Sequence, residues 1–317
     1  VKLVYSDRYL VDIGTHVFPT VKYRMVRDAV VSSGLVTLGD IVEPAEATWD
    51  VLALVHDADY LEKTRTGGFR PSEIAQLELP WTAEAAEGFR VMTGGSVLAA
   101  RLAMAEGDRI ARRRMPDASD DAAPLAVSAN LSGGFHHAFP SHGEGFCFYN
   151  DIAVAIRALQ RDGTITRAAV VDLDVHQGNG TAFVFDGDPT VFTCSLHQEH
   201  NYPFVKPRGS LDLGLVDGAG DDEYIRVLDQ ALPKVIESRP DLIVYVAGAD
   251  SYIEDQLGGL NLTMDGLTRR DCVVFDAARL ARVPVAVVLA GGYARKVEDT
   301  AAIHTNTIAA AVSLSHA

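Results

Sequence analysis

The sequence predicts an α/β protein: a single domain over residues 1–317, built on a mainly parallel central β-sheet with helices on both faces. Three observations carry this. Short, near-continuous apolar runs alternate with longer amphipathic stretches, as parallel strands buried on both sides require. A length of 317 residues with 48% hydrophobic side chains is enough for one large core. Polar clusters follow directly on several apolar runs, and open parallel sheets bind ligands beyond the carboxyl ends of their strands.

Along the chain, strands are expected at the N-terminal VKLVY, at VLALV (Val51 to Val55), and at PLAVSAN (Pro124 to Asn130). Further strands are expected at AAVVDLD (Ala168 to Asp174), TVFTCSL (Thr190 to Leu196), DLIVYVAGA (Asp241 to Ala249) and VPVAVVLAGG (Val283 to Gly292). Each is rich in β-branched residues and bounded by Gly, Pro, Asn or Asp. Helices are expected over Ala83 to Glu106, Asn150 to Gln160, Asp222 to Ile236, Asp265 to Arg282 and Glu298 to Val312. Asp221 or Asp222 is a candidate cap for the third, with acidic residues in its first turn. The stretch from Arg109 to Pro124 lacks periodicity and changes charge sign midway, so it reads as a surface loop. No internal repeat or interdomain linker stands out.

The composition excludes some function classes. A formal net charge of −15 argues against direct nucleic-acid binding, which needs a basic face, and weakly favours a cationic substrate. No basic-then-apolar leader is visible and no apolar run is long enough to span a bilayer. Cys147, Cys194 and Cys272 show no metal or disulfide spacing, which fits a reducing compartment. A cytoplasmic location is the resulting expectation.

The chemistry concentrates after the apolar runs. In VVDLDVHQGNG (Val170 to Gly180), Asp172, Asp174 and His176 occupy alternate positions, so on a continuing strand they share one face. Buried charges need a partner or a cation. Asp174, His176 and Asp250, the last at another strand end, form a three-ligand set that leaves coordination positions open, as in catalytic zinc sites. Oxygen and imidazole ligands also suit Fe(II) or Mn(II), and a buried ion-pair cluster would account for the same residues. His136 and His137 follow Gly133 and Gly134, which allow the sharp bend needed to bring both rings to one site; metal ligation by one or both, or simple packing, would account for the same pair. Asp172 and Asn179 are available to orient them. Tyr293 in AGGYAR can donate to a developing oxyanion, although Gly-Gly-Tyr also suits a simple turn. In GFCFYND, Phe148 reads as core and Phe146, beside Gly145, as a candidate channel wall.

The motifs GGFHHA, GFCFYNDIAVAI, VVDLDVHQGNGT, VYVAGAD, LGGLNLT and LAGGY resemble, in order, those of the zinc-dependent histone deacetylase family, the arginase–deacetylase fold. DVHQGNG and EDQLGGL look closest to its class IV branch and bacterial relatives. The resemblance implies that Asp174, His176 and Asp250 hold the metal, with Zn2+ expected and Fe2+ an alternative. It implies that His137 is the general base that activates the water on the metal and then protonates the leaving amine. His136, oriented by Asp172, would be its electrostatic partner. Tyr293 would polarise the amide carbonyl and hold the oxyanion. Phe146 and Leu257 would line an acyl-lysine channel, with Tyr202 or Phe204 as the opposite wall and Gly134 near the floor. A K+ or Na+ ion would sit beneath the metal, bound by Asp172, the backbone of Asp174 and His176, and the Ser195–Leu196 segment.

One departure is informative. Class I members have Asp where this chain has Asn179, so the orienting partner of His137 carries no charge and that histidine should be less basic. Two carboxylates that a dinuclear arginase-type site would need are replaced by Gly178 and Tyr252, so one metal is expected. The implied activity is hydrolysis of acyl groups from lysine ε-amines of a protein or peptide, with acetyl as default and long-chain acyl groups as a further class. The same chemistry on an acetylated polyamine or another small-molecule amide is the alternative. A non-enzymatic scaffold on this fold would have lost at least one key residue, and all are retained.

Overall fold

A computed structural model describes residues 1–113 and 124–315. Its strands are β1 (Lys2–Val4), β2 (Ile41–Val42), β3 (Val127–Asn130), β4 (Ala168–Asp172), β5 (Val191–Gln198), β6 (Leu211–Leu215), β7 (Leu242–Val246) and β8 (Val285–Val288). They form one sheet in the order β2-β1-β3-β8-β7-β4-β5-β6. Every pairing in it is parallel. The four strands at its centre, β3, β8, β7 and β4, are buried at every position. Burying one Val or Leu side chain contributes about 1.5–3 kcal/mol, so these runs supply much of the force that closes the sheet between its helices.

The helices are α1 (Lys22–Ser32), α2 (Trp49–Leu52), α3 (Ala58–Thr66), α4 (Pro71–Leu77), α5 (Ala83–Arg113), α6 (Asp151–Arg161), α7 (Asn179–Val184), α8 (Asp221–Glu237), α9 (Met264–Ala281) and α10 (Val297–Ser315). α5 packs on α6, β3 and β8, while α1, α10, α9 and α8 pack side by side. Asn150 caps α6 by accepting from the Ala153 N–H at 2.9 Å, and Thr263 caps α9 by accepting from Gly266 N–H at 2.9 Å. Gly220, not an aspartate, is the cap residue of α8. Asp221 instead accepts from the backbone and hydroxyl of Thr263, tying α8 to the start of α9.

Several expectations are corrected. VLALV is not a strand: its first two residues end α2 and the rest turn away from the sheet. A five-residue apolar run carries no period, and the preceding Thr48 and Asp50 favour a helix start. Arg109 to Arg113 extend α5; residues 114–123 of the expected surface loop lie outside the described residues. β2 and β6 were not anticipated. β2 has two residues, and β6 is a half-exposed edge strand, LDLGL, whose Asp and Gly weaken its strand signal. β4 ends at Asp172, so Asp174 and His176 lie on bends beyond it and not on one continuing strand face.

Register explains the position of the site. Asn130 on β3 pairs with Val288 on β8, Val288 with Val246 on β7, and Val246 with Asp172 on β4. Four adjacent strands therefore end at one level, and the segments that follow them emerge side by side.

His56 pins the segment after β3 from outside. It is 3% exposed, with Nδ1 donating to the Phe139 carbonyl at 3.0 Å and Nε2 accepting from the Asn150 N–H at 3.0 Å. Burial pushes its pKa down from 6.5 to about 4. As pH falls, the unfolded chain takes up this proton first. The stability supplied by the neutral ring is thus complete above pH ~6.5 and is lost on descending toward pH ~4. Denaturant unfolding at pH 7.5 and pH 5 should show a larger drop for the wild type than for His56→Gln, by about 1–3 kcal/mol. Equal drops would contradict this account of His56.

Candidate active site

The segment after β3 carries the two histidines. Gly133 and Gly134 adopt φ of 93° and 78°, a region closed to most side chains, and turn the backbone so that both rings point inward. Asp151, fully buried at the start of α6, holds this turn by accepting from Gly134 N–H at 3.1 Å, Phe135 N–H at 2.7 Å and the Ser96 hydroxyl. His136 Nδ1 donates to Asp172 Oδ2 at 2.7 Å and His137 Nδ1 donates to Asn179 Oδ1 at 2.6 Å. The rings lie 4.1 Å apart, centroid to centroid.

Their electrostatics diverge. Burial would lower His136, but the carboxylates of Asp172 and Asp174 outweigh it and raise the ring to about 9. His137 is pushed well below 6.5 by burial and then by the neighbouring imidazoles His136 and His176. The bond to Asn179 works in the opposite direction, so burial is the main source of its weak basicity. A neutral ring bonded through Nδ1–H leaves Nε2 as a free acceptor.

Asp174, His176 and Asp250 converge, each offering one ligand atom, and these atoms lie within 4.8 Å of one another. His176 Nδ1 stands 3.0 Å from Asp174 Oδ1 and 3.4 Å from Asp250 Oδ2. Asp250 Oδ1 accepts from Val175 N–H at 2.8 Å, while the buried Oδ2 has no hydrogen-bond partner. Burial and the Asp174 charge push the Asp250 carboxyl upward. An unpartnered carboxylate oxygen beside a second carboxylate and an imidazole is the arrangement a divalent cation satisfies. Gly291 completes the cradle: a Cβ there would lie 2.0 Å from Asp250 Oδ2 and 2.5 Å from Asp174 Oδ2. The donor set fits one metal ion.

A cavity of about 220 Å³ opens over these groups. Gly134, Gly145, Phe146, Tyr202, Leu257 and Tyr293 line it with both histidines, Asp174 and His176. Phe146 takes φ of 66°, costly for a phenylalanine by about 1–3 kcal/mol. That turn sets its ring 5.8 Å from Tyr293 and T-shaped against His16 at 4.7 Å. Phe204 is elsewhere: it is 98% exposed and absent from the cavity wall. Lys206 Nζ donates to the carbonyls of Asn201 and Pro203, closing a turn that keeps Tyr202 inside and leaves Phe204 outside. Of the residues expected around a monovalent cation, Ser195 pairs with Asp172 across the β4–β5 register, and Leu196 follows on β5.

Other residues at the site gave no signal in the sequence. Asp255 accepts from Leu257 N–H at 2.8 Å, Gly258 N–H at 2.9 Å and Tyr293 N–H at 2.6 Å, fixing the tyrosine and the channel wall together. Lys22, 1% exposed on α1, donates to the carbonyls of Ala290 at 3.0 Å and Gly291 at 2.7 Å. Its ammonium lies 5.7 Å from the Tyr293 ring centroid, and burial lowers its pKa to about 8. Phe18 and Glu78 also line the cavity. A carboxylate in a loop or a lysine in a helix reads as surface until packing shows otherwise. Tyr293 itself is held protonated, because burial and the charges of Asp174 and Asp250 push its pKa well up.

The crystal structure of the HDA15 HD domain superposes with a TM-score of 0.76, covering 97% of this chain and 87% of that one at 23% identity, a likeness of fold. Histone deacetylase 2 of Arabidopsis thaliana is 31% identical over 313 residues, spanning 92% of this chain and 74% of that protein. An uncharacterised protein of Picosynechococcus sp. is 38% identical over 305 residues, 96% of this chain and 95% of its own length. Residues 16–309 match the model of the histone deacetylase domain, a stretch that includes Asp174, His176, Asp250, His136, His137 and Tyr293. By fold, by sequence and by the side chains gathered at its strand ends, the chain belongs to the histone deacetylase family.

Proposed function

We infer that the chain hydrolyses acyl amides on lysine ε-amines of proteins or peptides, with acetyl as the default group and zinc as the metal. The observation that carries this is one narrow cavity in which the Asp174–His176–Asp250 cluster, the free Nε2 of His137 and the protonated Tyr293 meet. Asp174, His176 and Asp250 would hold the metal, which when bound supplies Lewis acidity toward the amide carbonyl and lowers the pKa of water. Tyr293 donates its hydroxyl proton in a hydrogen bond to the developing oxyanion. His137 accepts a proton from water at Nε2 and returns it to the departing amine nitrogen, giving a carboxylic acid and free lysine. His136, bonded to Asp172, places positive charge beside that transfer. Phe146, Tyr202 and Leu257 wall the passage for the aliphatic stem. A K+ or Na+ ion at Asp172, the backbone of Asp174 and His176, and the Ser195–Leu196 segment is part of this reading.

A second reading, an acetylated polyamine as substrate, is favoured by Glu78 in the cavity wall, where a carboxylate would suit a distal ammonium. The test is turnover of acetyl-, octanoyl- and myristoyl-lysine peptides and of acetylspermidine by zinc-loaded protein, with and without chelator. Chelator-sensitive release from an acyl-lysine peptide, at higher kcat/KM than from acetylspermidine, is expected. The reverse preference would establish the polyamine reading, and no turnover of any substrate would reject both.

A further inference from the structure

Glu144 lies outside the residues assigned so far, yet it touches the partners of His137 on two sides. One carboxylate oxygen, Oε1, accepts from Asn179 Nδ2 at 2.7 Å and from the Tyr202 hydroxyl at 2.6 Å. The other, Oε2, accepts from Gln76 Nε2 at 3.0 Å and stands 3.5 Å from His142 Nε2. Glu144 is itself tied down: its N–H donates to the Cys147 carbonyl, and the Cys147 N–H donates back at 3.0 Å, just around the Gly145–Phe146 turn.

The consequence follows from donor and acceptor chemistry. An ionised carboxylate only accepts, so the Asn179 group that meets it must be the NH2. The amide oxygen is then compelled to face His137 Nδ1, 2.6 Å away. A carbonyl oxygen only accepts, so the His137 proton must reside on Nδ1, and the lone pair is left on Nε2 toward the cavity. Without the carboxylate, Asn179 can flip its amide and present NH2 to His137, which favours the opposite tautomer, with a proton on the nitrogen that has to act as base. Tyr202 adds a second constraint. Its ring stands T-shaped against His137 at 5.0 Å and 80°, and its hydroxyl is anchored by the same Glu144 oxygen.

We propose that Glu144 is a positioning residue of this site: through Asn179 it fixes the tautomer of His137, and through Tyr202 it fixes the plane of that ring. This rests on the reading of His137 as the proton-transfer group. The hydrogen bonds from His142, Tyr202, Gln76 and Asn179 outweigh burial and hold the Glu144 carboxyl down at about 2, so it stays an obligate acceptor at neutral pH. The device also answers the absence of a carboxylate at position 179: the negative charge is present one residue farther out, relayed by an amide.

The test uses zinc-loaded protein and two independent readouts. Long-range 15N–1H NMR of labelled histidine reports the tautomer without any turnover. Wild type should show His137 protonated on Nδ1, and Glu144→Ala a mixture of tautomers. A single unchanged tautomer in Glu144→Ala overturns the proposal whatever the substrate. In turnover assays, Glu144→Ala should lower kcat about 10–100-fold with little change in KM, metal content or Tm. Glu144→Gln, which keeps an acceptor, should recover part of that loss. In an Asn179→Ala background the added effect of Glu144→Ala should nearly vanish, since the two act in series. Full multiplicative effects, or a kcat loss that tracks Tm or metal content, would also overturn it. Failure of the base assignment is separate: it appears as His137→Ala retaining activity while the tautomer result stands.

Discussion

His137→Ala is expected to lower kcat/KM by about 10²–10⁴-fold, the range for loss of a positioned general base. Structure should survive, because the ring faces a cavity and makes its one polar bond to Asn179 Oδ1. Metal content and Tm should therefore match wild type while turnover of an acyl-lysine peptide collapses. Imidazole added to the assay should restore a fraction of the rate to this variant and none to Asp250→Asn. His136→Ala would behave differently. It strips a cation from between Asp172 and Asp174 and leaves both carboxylates buried, so losses of metal and stability are expected alongside activity. A His137→Ala protein with full activity would end the assignment of proton transfer to this residue.

Asp250→Asn is expected to abolish stable metal binding and with it measurable turnover. The carboxylate has one oxygen committed to Val175 N–H and one without a partner, so its free oxygen is what the site offers a cation. An amide at that place turns NH2 donors toward His176 and Asp174. Thermal unfolding separates this from misfolding. Wild type should gain stability on zinc addition, about 2.7 kcal/mol at a free concentration 100-fold above Kd. Asp250→Asn should gain almost none. Its metal-free stability should be at or above that of the metal-free wild type, because a repulsive buried charge beside Asp174 has been removed. Chelator treatment of the wild type should reproduce both the lost activity and the lost stabilisation. Zinc-dependent stabilisation that persists in Asp250→Asn would show that the cation binds elsewhere.

Legibility differed between elements for physical reasons. The central strands β3, β4, β7 and β8 read clearly, because strands buried on both faces leave an apolar run no helix of that length would need. VLALV had the same composition and became a helix end and turn, since a short apolar run has no period by which to choose. The edge strands gave little signal: β2 has two residues, too few for any period, and β6 is a half-exposed edge that tolerates Asp and Gly. At the site, the candidate metal cluster and the histidine pair stood out as polar residues directly after apolar runs, whereas Tyr293, in a Gly-Gly turn, gained its role only from the family resemblance. Glu144, Asp151, Asp255 and Lys22 did not, because charged residues in loops and helices are the ordinary surface.

The sequence by itself determined the class of fold, the polar groups that follow its strands, and the motif order that marks the family. Those properties are local: they depend on residue type and on neighbours a few positions away. Only the tertiary structure decided that β3, β8, β7 and β4 lie adjacent and end in register, bringing His137, Asp174 and Tyr293 around one cavity with Asp250 buried beside Asp174. It alone decided that Tyr202 and not Phe204 faces inward, and that Asn179 is backed by Glu144. Those contacts join residues tens to hundreds of positions apart. Their geometry comes from strand order and packing, which no short window of sequence contains.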